Sequence, residues 1–173
     1  GYTTAQDGRS STDTCRMMAM LAERGELPID ILSFPDILTS TDIMATPLYR
    51  KNYVGKYRIG GVKLTIDGSP QGKTAWLSQP YYKVPAGEKA DYAGYPAYTD
   101  AQANELIGKA WDHGWQVLAH ANGDAAIDQL INELFAQAFD VEGATADEML
   151  QPLDDLGVAD QAAGAAPLDL FAL

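Results

Sequence analysis

The sequence of 173 residues is short of the side chains that hold metals and act as nucleophiles, with one cysteine and two histidines. A single thiol, Cys15, excludes an internal disulfide framework. The histidines, His113 and His120, are not spaced as a His-x-His pair, so a metal centre built on that pattern cannot be placed in this chain. Long hydrophobic runs are missing as well. None approaches the roughly 20 apolar residues that span a bilayer, and no apolar stretch near the start reads as a secretory signal. Positive charge is the last shortage, and it is uneven. Residues 1–109 carry all 12 basic side chains and an equal number of acidic ones, whereas residues 110–173 carry 12 acidic side chains and no basic one, so the net charge of −12 lies in the final third. Such a chain repels phosphate backbones and anionic lipid, which argues against nucleic acid and membrane surfaces as partners. A small-molecule substrate and, by default, a cytoplasmic location are the expectations that remain.

What is present is concentrated in two stretches. In the first, Gly60 to Trp76, Val62, Leu64 and Ile66 alternate with Lys63, Thr65 and Asp67, giving a strand with one apolar and one polar face. On a strand of a parallel barrel the apolar side would meet helices and the polar side would face the interior. Lys63 would then be an enclosed amine. Desolvation drives such an amine toward neutrality, pairing or chemical change, and a neutral amine can take up carbon dioxide to form a carbamate, an anionic oxygen ligand able to bridge two cations. The alternative is a solvent-facing lysine on an edge strand.

The second stretch, Gln116 to Ile127, reads as a short apolar strand from Val117 to Ala119 that ends in His120. A turn through Ala121, Asn122 and Gly123 then leads into a helix opened by Asp124. Catalytic groups of parallel α/β folds collect at the carboxyl ends of strands, where His120 falls. Its imidazole suits a zinc ligand, although a lone histidine is more often satisfied by hydrogen bonds than by metal. Asp124 is expected to cap its own helix.

The elements around these strands follow from capping and periodicity. Ser11 or Thr12 caps a helix running to about Arg24, with Gly25 as its stop and Met17, Met18, Met20 and Leu21 as core bulk. A strand follows at Ile29 to Phe34, then a helical or turn-like stretch from Thr41 to Tyr49. Thr99 and Gln102 form a capping box for a helix ending near His113 and Gly114, with Ala103, Leu106, Ile107, Ala110 and Trp111 as its buried stripe. His113, in its last turn, reads as structural. A final helix, Ala125 to Ala138, is expected to bury Ile127, Leu130, Ile131, Leu134 and Phe135. Strands and helices alternate, which implies parallel pairing.

Between the lysine strand and its helix lies an unusually long connection, Gly68 to Tyr98. Its aromatic residues Trp76, Tyr81, Tyr82, Tyr92, Tyr95 and Tyr98 would either wall a site or pack on one another. Within it, Gly68 to Thr74 imitates a phosphate-binding loop. The glycine spacing is one residue short of that pattern and no helix is expected to follow, which excludes nucleotide binding.

Taken together, GYTTAQDG at the start, GGVKLTIDGSPQGKTAWLSQPY in the middle and LAHANGDAAID later resemble the amidohydrolase superfamily. Within it the similarity is to the branch of N-substituted formamide deformylases and related metal-dependent hydrolases. The three segments occur in family order and span residues 1–137. The resemblance implies that Lys63 is the carboxylated, metal-bridging residue, that His120 is a metal ligand, and that one or two divalent ions, zinc first among them, serve the site. Asp67, on the polar face with Lys63, is assigned as a hydrogen-bonding partner behind the ligands. The implied reaction is hydrolysis of the carbon–nitrogen bond of an amide or formamide by metal-activated water.

The family also requires a His-x-His pair, a further histidine and a late aspartate, none of which can be placed here. A complete (β/α)8 barrel takes about 250 residues. The expected fold is therefore a partial TIM barrel over residues 1–138, a fragment of a longer hydrolase that is inactive alone and prone to self-association through open barrel edges. Residues 139–173 are expected to form a weakly structured, Ala-rich acidic tail with a short helix near Ala146 to Leu150, or else to come from a shifted or truncated reading frame. The reading of another class is a non-catalytic α/β binding or assembly module in which Lys63 is merely structural.

Overall fold

A computed structural model describes residues 1–139 of the chain. The expected acidic tail and its short helix lie outside the described residues apart from Phe139, which ends the last helix. The described residues divide into two compact units, one of Gly1–Thr65 with Asp112–His120, the other of Ile66–Trp111 with the residues from Ala121 onward.

The first unit is a parallel α/β layer. Strand β1 (Thr4–Ser10) leads into helix α1 (Thr12–Glu23) and returns as β2 (Asp30–Pro35), which pairs with β1 in parallel. The helix starts as the sequence dictates: the Ser11 side chain accepts a hydrogen bond from the Thr14 amide at 3.1 Å. It stops at Arg24, and Gly25 follows with φ of 71°. Its buried face is Cys15, Ala19 and Ala22 at helical spacing, small residues that let α1 lie close on β2 and β3. This corrects the reading of the methionines. Met17 and Met20 are 46% and 43% exposed, since the helix turns its small side chains, not its longest ones, toward the sheet.

After a 3-10 turn at Thr41–Ala45 come β3 (Tyr57–Ile59) and β4 (Val62–Thr65), separated by Gly60 and Gly61. Both run beside β2. Ser33 pairs with Ile59 and Asp36 with Lys63, so the partner strand advances four residues while β2 advances three. The extra residue is a bulge at the glycine pair, and β3 and β4 are one bent path. On its other side β4 pairs in parallel with β5 (Val117–His120), placing Thr65 beside His120. The strands thus form two parallel sheets, β1-β2-β3 and β4-β5, each ordered as the chain runs and linked by the isolated Asp36–Lys63 bridge. Of the two sheet faces, one carries the fully buried Ser33, Tyr57, Ile59, Val62 and Leu64, and the other carries Asp36, Lys63, Thr65, Leu118 and His120. The sheet is curled. The Leu118 side chain of β5 comes to 3.8 Å from where a Cβ on Gly8 of β1 would stand.

The second unit holds the long connection, helix α2 (Asp100–Asp112) up to Trp111, and helix α3 (Asp124–Phe139). The capping box at α2 forms as expected, with Gln102 N donating to Thr99 Oγ1 at 3.3 Å and Thr99 N to Gln102 Oε1 at 3.0 Å. Ala103, Ile107 and Ala110 are its buried positions. The connection packs on itself: Tyr81 and Tyr92 stack with centroids 6.0 Å apart, and their hydroxyls donate to the carbonyls of Ala75 and Lys73. Between β4 and α2 the connection forms no helix or strand.

Helix α3 is rotated relative to expectation. Its buried residues are Ala126, Gln129 and Ala136, while Ile127 and Ile131 are 41% and 37% exposed. Polar anchors set this rotation. Gln129 Nε2 donates to Asp100 Oδ1 at 2.7 Å, and Asn104 of α2 donates to Glu133 of α3 at 2.7 Å. Among the described residues no helix is long and apolar enough to cross a membrane.

Candidate functional site

In the first unit four polar side chains stand on one face: Arg9 near the end of β1, Asp36 just past β2, Lys63 in the first half of β4 and His120 at the end of β5. Lys63 and His120 belong to this face by register, because Lys63 pairs with Leu118 and side chains two apart on a strand share a face. A strand spacing of about 4.8 Å and a two-residue step of about 6.6 Å put their Cα atoms roughly 8 Å apart. That gap is one that a long lysine and a shorter imidazole can close between them. Both residues are half-buried.

Lys63 is less basic than an ordinary lysine, first because burial disfavours its charged form and second because the Arg9 guanidinium repels it. It is not sealed inside a dry core; its exposure is intermediate, short of the enclosure expected from the alternating pattern. Among the described residues it makes no ion pair. Asp36, its lateral neighbour, is only 7% exposed and fully engaged. Arg9 Nε donates to Asp36 Oδ2 at 2.7 Å, and the amides of Leu38 and Thr39 donate to Oδ1 at 3.0 and 3.1 Å. Burial alone would raise the Asp36 pKa, but these bonds and the Arg9 charge outweigh it and hold the carboxyl below the usual carboxylate range.

Asp67 belongs to the second unit, where its carboxylate collects three backbone amides. Asn122 N donates to Oδ1 at 2.9 Å, and Gly123 N and Trp76 N donate to Oδ2 at 2.8 and 3.0 Å. The side chain is thus a distant cap for the turn into α3, and it pins the long connection to that turn. Asp124, expected to serve as the cap, accepts from the hydroxyl and amide of Ser78, and these bonds, with smaller ones from the Ala125 amide and its own, lower its pKa. The two carboxylates fasten the connection at both Trp76 and Ser78, so it is anchored to α3 and does not hang as an open flap. His113 falls just beyond α2 and lies against Trp115, ring centroids 4.6 Å apart.

Sequence reasoning did not single out Arg9 or Asp36. Arg9 lies in the opening GYTTAQDG-R segment, and Asp36 ends the apolar run of β2, so either could have been flagged only by knowing that β1, β2 and β4 are neighbours. Among the described residues no group of three or more histidine, cysteine, aspartate or glutamate side chains is gathered so as to hold a metal ion. Lys63 and His120 suit a divalent cation as carbamate oxygen and imidazole nitrogen, but a catalytic zinc takes about three protein ligands, and these two do not complete a centre.

Known proteins resemble the chain in sequence and in fold. The sequence model described as the amidohydrolase family matches residues 1–168. YtcJ of Bacillus subtilis (strain 168), a protein named as an amidohydrolase, is 33% identical over 75 residues, covering 43% of this chain and 13% of YtcJ. The crystal structure of an uncharacterized metal-dependent hydrolase from Pyrococcus horikoshii OT3 superposes with a TM-score of 0.63 at 25% identity, over 79% of this chain and 26% of that one. A second such structure, from Pyrococcus furiosus, gives a TM-score of 0.62 at 24% identity over 78% of this chain and 27% of that one, a likeness of fold. The chain thus spans about a quarter of the length of these solved structures and a smaller share of YtcJ.

Proposed function

Because this chain belongs to the amidohydrolase family, we propose that it supplies part of the active-site face of a metal-dependent hydrolase that cleaves carbon–nitrogen bonds of amides or formamides, as in the N-substituted formamide deformylase branch. The observation that carries the reading is the shared face of Lys63, on β4, and His120, at the carboxyl end of the adjacent parallel strand β5. Strand order that follows chain order, together with the curl that brings Leu118 toward Gly8, supports a segment of a (β/α)8 barrel whose interior is that face. In this reading a carboxylated Lys63 and the His120 imidazole would hold one or two divalent ions, with zinc suiting the donor set, and Asp67, which accepts from the Asn122 and Gly123 amides, would steady the turn that follows His120.

When bound, the ion supplies a Lewis acid and a water of lowered pKa. The contribution of this chain is positional: β4 and β5 fix the spacing of two donors, and the lowered basicity of Lys63 favours the neutral amine that carboxylation requires. In this reading the further donors that a catalytic ion needs come from outside the described residues.

Zinc titration of the full chain followed by metal analysis tests this. Retention of zinc by the wild type and its loss in both Lys63→Ala and His120→Ala is the expected result, whereas equal background metal in all three removes the reading. A second reading, an assembly module without catalysis, is favoured by the exposed Ile127 and Ile131 on α3. It predicts self-association that weakens in Ile127→Ser while metal content stays at background.

A further inference from the structure

Arg9 and Asp36 share the sheet face of Lys63, yet the reading above gives them no task. Asp36 is the carboxylate beside Lys63 in register, and in most proteins it would be the ammonium's counter-ion. Here both its oxygens are committed elsewhere, Oδ2 to Arg9 and Oδ1 to the turn at Leu38 and Thr39. The charged neighbour of Lys63 is therefore a guanidinium. The β1 backbone is built for this: Gly8 and Arg9, between Asp7 and Ser10, stand against the single Phe34 between Ser33 and Pro35, and a bulge of this kind re-aims a side chain.

Two cations held side by side repel, whereas an anion in the place of one of them is attracted. We propose that the Arg9–Asp36 ion pair is a positioning device for carboxylated Lys63: Asp36 orients the guanidinium, and the guanidinium holds the carbamate. This rests on the reading of Lys63 as a carboxylated residue. In forming the carbamate, the Nζ lone pair of the neutral amine attacks the carbon of dissolved carbon dioxide. The N–C bond forms as one C–O π pair withdraws onto oxygen, and the nitrogen then releases a proton to water, leaving one negative charge on the carboxylate. Since Asp36 takes Nε of Arg9, the two terminal nitrogens remain as donors for that charge. Asp36 is thus kept from Lys63 and used to aim the group that favours the product.

The experiment is carbon-13 NMR of the full chain with 13C-labelled bicarbonate and zinc chloride, the carbamate resonance being assigned by its absence in Lys63→Ala. The wild type shows the resonance, Arg9→Gln lowers it about tenfold, as loss of one charge-assisted hydrogen bond implies, and Arg9→Lys recovers part of it. The Arg9 side chain is 65% exposed, so folding is expected to survive, and circular dichroism checks it. Asp36→Asn, which keeps the guanidinium but loses its charged anchor, falls between wild type and Arg9→Gln. An undiminished resonance in Arg9→Gln and Asp36→Asn overturns the positioning role while leaving Lys63 carboxylated. No resonance in the wild type overturns the reading of Lys63 itself, and the positioning role with it.

Discussion

Lys63 and His120 leave the same face of adjacent parallel strands one two-residue step apart, because it is Thr65, not Lys63, that stands in register with His120. The stagger gives a long amine and a short imidazole room to reach a common point without colliding at their bases. It also leaves Thr65 directly beside His120, where a β-branched residue restricts the space open to the ring.

Asp67 is expected to be among the costliest polar residues to remove. It is 4% exposed and its carboxylate satisfies three backbone amides, of Trp76, Asn122 and Gly123. Asp67→Ala leaves those donors unpaired, and a loss of about 3 kcal/mol or more is expected from the desolvation of unmade bonds. Asp67→Asn, which keeps one acceptor oxygen, should lose less. Urea denaturation of the two variants against wild type measures this, and a loss under about 1 kcal/mol for Asp67→Ala would show that water or a rearranged turn replaces the carboxylate.

The acid limb of stability is expected to depend on Asp36. Its folded pKa lies below the ordinary value of 3.8, so folding favours its ionised form. The associated stability is fully present above that ordinary value, and it is lost as pH falls through the lower folded value. Denaturation midpoints measured from pH 6 down to pH 2 should therefore fall below about pH 4, and the fall should be shallower in Asp36→Asn. Equal slopes for the two proteins would mean that the Arg9 and amide bonds do not distinguish the ionised carboxyl from its protonated form.

How far the sequence foretold this structure depended on whether a signal was local. The Ser11 cap, the Thr99–Gln102 box and the strand ending in His120 are set by neighbouring residues, and all three form. The alternation of Val62 and Leu64 with Lys63 and Thr65 likewise gave the faces of β4. Helix rotation was not local. The apolar stripe of α3 pointed to Ile127 and Ile131, but Gln129 finds Asp100 and Glu133 finds Asn104, some thirty residues away in the chain, and those bonds turn the helix. Strand β1 escaped notice because Thr4 to Ser10 has no apolar alternation; it is recognisable only from its ladder with β2. The partners of Asp67 and of Lys63 were hidden for the same reason, since nothing in Asp67 announces Asn122, or in Lys63 announces Asp36.

The glycine pair before β4 is expected to decide which way Lys63 faces. A one-residue slip on a strand exchanges its faces, and the extra residue between Ile59 and Lys63 is what brings Lys63 beside Asp36 with Val62 and Leu64 on the buried side. Gly61 also sits where the entry to β4 passes close to the entry to β5, because a Cβ there would overlap the Gln116 carbonyl that accepts from the Val62 amide at 2.8 Å. Gly61→Ala must push the strands apart at that bond, and a loss of about 1–3 kcal/mol is expected from the overlap alone. Deleting Gly60 should do worse: without the bulge the strand can keep Lys63 beside Asp36 only by shifting β3, or keep β3 only by turning Lys63 toward the buried side, where an unpaired ammonium is costly. Hydrogen exchange at the Val62 and Leu64 amides reads both effects, with faster exchange in Gly61→Ala and protection lost in the deletion. Unchanged protection in the deletion would show that β4 finds its register from its own side chains without help from the bulge.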